Sequence, residues 1–341
     1  MKNKIYILFA LALFFQMNNV FAQGCEGDEP VGNDSTAVPT VKIFGYIQPQ
    51  FDYNFTDGNE NTFKFKRARI GVRGSFYEDF SYYFMLETSP FVGSTGDAYL
   101  MDAFVSYTKY NWAKISVGTF KMPFSLEVAT PCHGLTTVDR SIVADQLVAP
   151  QRDFGLMVLG GNKYTKFNYW VALMNGRGLQ VKDDNTKKDI VGRATYKLTD
   201  YLTIGGSFRY GYPIPNNVDD SRTSYGGEFK LDLDKLKLQG EYIYDEGAYF
   251  SGAAGGCGAT PVALGEKRDG AYIMGSYDIN ENFQPVLKYE FFDPDIDLSD
   301  DGSYMERFTV GANYFFNDKV RFQLNYQANI ETVIEQDNDA L

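Results

Sequence analysis

The chain has 341 residues and a formal net charge of -12, a balance that excludes an electrostatic nucleic-acid binder. Mean hydropathy is -0.30, and past the N-terminus no apolar run approaches the ~18 residues a spanning helix needs, which excludes a bundle of membrane helices. A single histidine leaves little for imidazole-dependent catalysis, whereas 25 Tyr, 28 Phe and 33 Gly suit pleated strands, membrane interfaces and tight turns.

Lys2 and Lys4 precede the apolar run Ile5–Phe15, and Val20-Phe21-Ala22 places small residues where signal peptidase reads. Residues 1–22 are therefore expected to be an export signal, and disulfides become permissible in the mature chain. Residues 23–40 (QGCEGDEPVGNDSTAVPT) are polar and acidic and read as a flexible leader. Cys25 is preceded by Ala22-Gln23-Gly24, a poor lipidation signal because Gln stands where a small residue is wanted. Cys132 and Cys257 fall in expected outer loops, and spacing alone leaves their pairing open. Cys132-His133 lacks further ligands at suitable spacing, so both are read as loop residues and no metal or cofactor is expected.

From Val41 onward the period is two. In VKIFGYIQPQFDYNF the apolar positions are Val41, Ile43, Ile47, Phe51, Tyr53 and Phe55, against Lys42, Gln48, Gln50, Asp52 and Asn54. Phe167, Tyr169, Val171 and Leu173 share one face of a later segment, and Phe322, Leu324 and Tyr326 oppose Arg321, Gln323, Asn325 and Gln327. Connections alternate between short turns, such as Thr199–Asp200 and Asp234–Lys235, and long segments such as Lys121–Gln151, Glu246–Lys267 and Phe292–Tyr304. That alternation predicts an all-β fold, an antiparallel transmembrane β-barrel over residues 41–341. Fifteen strands are readable between Val41 and Asn329. Because single-chain barrels use even numbers, sixteen are expected when complete, the final strand being missing after IETVIEQDNDAL. A barrel of that size leaves an aqueous channel.

Charged side chains should face that water, since on the lipid face they cost about 2–4 kcal/mol at the midplane. Arg67, Arg69 and Arg73 alternate with Ala68, Ile70 and Val72 and are expected inside. Phe63 and Phe65 fall out of phase with them, which predicts a bulge or a strand end near Lys66. The same alternation turns Arg193, Lys197, Arg209, Lys230, Lys237, Lys288, Arg307 and Arg321 inward, together with Glu87, Asp102, Glu228, Asp232, Glu241 and Glu290. Lys121–Gln151, the longest connection, is expected to fold into the channel and constrict it, with Lys121, Arg140 and Arg152 on it or at its edges. Guanidinium groups offer forked, permanently charged donors to oxyanions, and several in sequence allow exchange without trapping. The acidic run DPDIDLSDD does not match an EF-hand spacing and is read as solvated.

GYIQPQFDY, FKRARIGVRGSFYEDFSYYFMLE, DAFVSY, ISVGTFKMPFSLEVAT, VDRS and APQRDFGLMVLGG, in this order, resemble the phosphate-selective porin O and P family. The resemblance covers nearly the whole mature chain and is most specific over residues 44–161. It implies a homotrimer of sixteen-stranded barrels in the bacterial outer membrane, each with an inward third loop and basic side chains conducting small anions such as phosphate. By the same resemblance Lys121 in GTFKMPF and Arg140 in VDRS match family positions. The candidate anion-contacting residues are therefore Arg67, Arg69, Arg73, Lys121, Arg140, Arg152, Arg193, Arg209, Arg307 and Arg321. The leading alternative is a general or sugar-conducting porin with Trp170 or Tyr83 as a stacking track. An outer-membrane enzyme would need a partner for His133, and an adhesin would need more elaborate outer loops.

Overall fold

The computed structural model describes residues 39–55, 61–93, 96–179, 181–249, 262–298 and 304–330. The expected export signal, Cys25, Cys257 and the expected sixteenth strand lie outside those residues.

Alternating sequences become strands joined by alternately long and short connections. β1 (Lys42–Asp52) is followed by β2 (Thr62–Phe76), which turns at residues 77–79 into β3 (Phe80–Glu87). A short helix, α1 (Ser89–Val92), precedes β4 (Tyr99–Tyr110), whose tight turn leads to β5 (Ala113–Lys121). After residues 122–151 come β6 (Arg152–Gly160), β7 (Phe167–Met174), β8 (Asp189–Lys197) and β9 (Leu202–Gly211). The remaining strands are β10 (Arg222–Leu233), β11 (Leu236–Gly247), β12 (Lys267–Tyr277), β13 (Phe283–Asp293), β14 (Met305–Asn317) and β15 (Val320–Ile330). Among the described residues they form one sheet in chain order, antiparallel throughout. Phe55, just beyond β1, meets Tyr326 of β15 edge-on with ring centroids 6.0 Å apart, so the sheet curls until a ring just past its first strand touches its last.

One face of the sheet is apolar and exposed, as at Ile70, Val171, Leu287 and Val310. Exposed rings gather at the short-turn end, where Tyr77, Trp112, Tyr164, Tyr201 and Phe316 are each more than half exposed. An apolar band bordered by aromatic rings is the outer surface of a barrel in lipid. Close pairing of β4 with β5 requires glycine at 118: its φ is +136°, and a Cβ there would stand 2.1 Å from the Ala103 carbonyl oxygen.

The expected bulge is present. Gln48 pairs with Arg67 and Pro49 with Phe65, so Lys66 is the extra residue. Beyond it the phase reverses and Phe63 turns outward, 63% exposed, while Lys66 and Arg67 both point inward.

The core lies inside the sheet. The long connection is not structureless: it carries α2 (Leu126–Ala129), a 3-10 turn (Cys132–Gly134) and α3 (Ile142–Leu147). Met122, Phe124, Val128, Val143, Leu147 and Val148 on it are almost fully buried, against inward Phe104, Trp170, Val191, Ile243, Tyr272 and Phe292. Burying this much apolar surface, at roughly 25 cal/mol per Å2, ties the loop firmly to the wall.

Candidate functional site

Two short helices supply their own N-caps and borrow a second partner from the wall. Ser125 accepts a bond from the Val128 N–H and donates its hydroxyl to Glu241 Oε2 at 2.9 Å. The Leu126 N–H donates to Glu241 Oε1 at 3.0 Å. Ser141 caps α3 through the Ala144 N–H, and the Ile142 N–H donates to Glu290 Oε2 at 3.0 Å. Each wall glutamate thus satisfies N–H groups that a helix start leaves unpaired. Farther along, the Val138 N–H donates to Asn325 Oδ1 at 2.7 Å, and Asn313 and Gln323 amides donate to the Thr136 carbonyl at 3.0 and 3.1 Å. From β5 the loop therefore crosses the interior and fastens on β11, β13, β14 and β15.

Cations bind the same loop through its carbonyls. Lys121 Nζ donates to Val128 O at 2.9 Å and Thr130 O at 3.0 Å, and Arg140 Nε to Glu127 O at 2.9 Å. Arg209 Nη1 donates to Ala149 O at 3.1 Å, beside Arg222 Nη2 on Leu147 O at 2.6 Å. Other inward cations pair with inward acids. Arg69 Nε lies 2.7 Å from Glu87 Oε2, Arg152 Nε 3.0 Å from Asp102 Oδ1, and Arg193 grips Glu228 with both Nε (3.0 Å) and Nη2 (2.6 Å). Arg67 Nη1 donates to Gln48 Oε1 at 2.8 Å.

The ten sequence candidates thus divide. Arg67, Arg69, Lys121, Arg140, Arg152, Arg193 and Arg209 are buried in this polar frame, with side chains held by protein partners. Arg73, Arg307 and Arg321 are half-buried. Arg73 lies over the Phe44 ring at 5.9 Å, Arg307 donates to Asn329 Oδ1 at 2.7 Å, and Arg321 donates to His133 O at 3.0 Å. Lys66, at the bulge, pairs with Asp139 on the loop.

Sequence reasoning missed Arg222 and Arg268, which close on Asp245 from both sides, with Arg222 Nε 2.7 Å from Asp245 Oδ1. Continuing the inward phase of Ser224 and Glu228 back to 222, and of Tyr272 and Gly270 back to 268, finds both; their polar surroundings at the strand ends hide them. Trp170 and Tyr83 do face inward but are buried, at 3% and 4% exposure, so neither ring is open to stack on a passing sugar. Cys132 is a buried thiol between Arg69 Nη1 (3.2 Å) and Arg140 Nη2 (3.4 Å). His133 meets the Tyr46 ring with centroids 5.1 Å apart, and its burial pushes the imidazole down to about 4.

A sheet with an apolar exterior and an aromatic border, holding an inward loop across a charged interior, defines an outer-membrane porin barrel. Solved porins share the architecture. An anion-selective porin from Comamonas acidovorans has TM-score 0.65 at 14% identity over 86% of this chain and 90% of its own. The outer membrane channel DcaP of Acinetobacter baumannii has TM-score 0.61 at 12% identity over 92% and 97%. The sequence matches the family described as phosphate-selective porin O and P over residues 41–220 and 214–341, and the chain belongs to that family of the bacterial outer membrane. It is 33% identical to Porin O of Pseudomonas aeruginosa over 197 residues, 54% of this chain. The match spans 44% of that relative's length.

Proposed function

We propose that the protein is a passive diffusion channel that prefers small anions, phosphate among them, and works as a homotrimer. One observation carries this reading: of the six acids expected inward from the sequence alternation, five are withdrawn from lumen water. Glu87, Asp102 and Glu228 are paired with arginines, and Glu241 and Glu290 hold the loop's N–H groups. Asp232 remains exposed, beside the β10–β11 turn and across from Lys237. The half-buried Arg73, Arg307 and Arg321, with the Lys66–Asp139 pair at the bulge, then leave a net positive charge toward a permeating ion. Selectivity follows this local charge and not the overall -12. Family membership and the similarity to an anion-selective porin support the same conclusion.

The test is single-channel recording in a planar bilayer under a KCl gradient, with phosphate added in steps. A reversal potential on the anion side, with phosphate reducing the chloride current, is expected. The triple variant R73Q/R307Q/R321Q should move it toward zero; a cation-side potential in the wild type would leave a general porin. Chemical cross-linking in mild detergent should give a ladder ending at three subunits, and a ladder ending at one removes the trimer.

A further inference from the structure

The bulge in β2 brings two consecutive cations inward and sets Lys66 against Asp139 of the loop. Gln327 Nε2 of β15 reaches the same carboxylate at 3.4 Å, and Thr137 Oγ1 donates to the Asp139 carbonyl at 2.7 Å. This pair differs from the others that hold the loop. The Lys66 and Asp139 side chains keep 11% and 38% exposure, whereas in Lys288–Glu127 the values are 2% and 1%. The loop's remaining acid, Asp145, accepts from Gln151 Nε2 at 2.9 Å. Asp139 is therefore the acid of residues 122–151 whose ion pair opens onto lumen water.

We propose that Asp139 is a specificity-determining residue: it is the resident counter-charge of Lys66, and a permeating oxyanion takes its place on the ammonium. The inference rests on the reading of the chain as an anion-preferring channel. An ammonium has three rotatable donors, so it can engage a second oxygen before releasing the first, and carboxylate and phosphate oxygens compete for the same donors. Exchange between neighbouring acceptors lets binding be favourable without becoming a trap. Asp139 also lowers the positive potential at this point of the path, which limits how strongly anions are preferred. Burial pushes its carboxyl up, but the Lys66 ammonium outweighs that and holds it at about 2, so the carboxylate stays charged at any ordinary recording pH.

The experiment compares wild type, D139N, K66Q and D139N/K66Q by reversal potential under a KCl gradient, with exclusion of graded polyethylene glycols measured on each. D139N should raise the chloride-to-potassium permeability ratio about two- to threefold, the combined effect on both ions of one unit charge ~8 Å away in water and screened by salt of about 0.1 M. K66Q should lower the ratio, and the double variant should return toward wild type, with the same polymer cut-off in all four. An unchanged ratio in D139N overturns the proposal. So does a change accompanied by entry of larger polymers, because Asp139 would then be a strut whose loss loosens the loop. A cation-side potential in the wild type with D139N still shifting toward chloride would sink the anion-channel reading while leaving Asp139 as a determinant of selectivity.

Discussion

Replacing Arg193 with glutamine would strand Glu228, whose two oxygens this guanidinium holds at 3.0 and 2.6 Å. Breaking one side of a buried pair costs about 3–5 kcal/mol, because the remaining charge loses its partner. The R193Q barrel should therefore lose its heat-resistant mobility in detergent gels at a clearly lower temperature than wild type. R307Q removes a 23% exposed side chain 3.6 Å from Glu290, but Lys288 still holds that carboxylate at 3.3 Å, so it should keep near wild-type heat resistance and lose anion preference. Equal thermal losses in both variants would contradict the division between frame and pathway. His133 adds a pH dependence whose sign is fixed by its burial. With the imidazole lowered from 6.5 to about 4 in the docked loop, the undocked loop binds more protons between those values. His133's contribution to docking is therefore complete above pH 6.5 and is lost as pH falls toward 4. Burial raises the Asp145 carboxyl, which works in the opposite direction, so a control at position 133 is needed. Current fluctuations should grow across that window in wild type, and H133F, which keeps a ring against Tyr46, should be flatter.

At the scale of elements, α2 and α3 are too short to hold their shape unaided, since helices below about 12 residues are marginal in water. Their serine caps and the wall glutamates supply what length does not. Glutamine at 241 keeps the volume but offers one accepting oxygen where Ser125 and Leu126 need two. An unsatisfied buried donor costs about 1–3 kcal/mol, so E241Q and E290Q should each loosen the loop, raising conductance and admitting larger polymers. Unchanged conductance in both would show that apolar burial alone holds it. The strands were legible because lipid on one side and water on the other impose a period of two. The Lys66 bulge was legible because Phe63 and Phe65 break that period. The length of the loop suggests an inward path but not its anchors: no local pattern tells that Val138 will meet Asn325, 187 residues away.

For the molecule as a whole, the same limit separates fold from site. Which side chains share a face of a strand follows from neighbours in sequence, yet Arg222, Asp245 and Arg268 are lost where polar strand ends blur the alternation. Which inward cations remain available to an ion depends on partners across the barrel, such as Glu228 for Arg193 and Asp102 for Arg152. A guanidinium buried in an ion pair and one left half-buried have the same sequence signature.

The loop's anchors also fix an order of assembly. Its bonds to Glu241, Glu290 and Asn325 span 115, 148 and 187 residues, so none can form before the second half of the chain has entered the sheet. Contacts so distant in sequence are the slow ones to form. During insertion into the membrane the wall must come first, and the nascent pore should pass through a transient wide, unselective state. Recording conductance during refolding into a bilayer should catch large openings that narrow to the mature level, and E241Q should lengthen their lifetime.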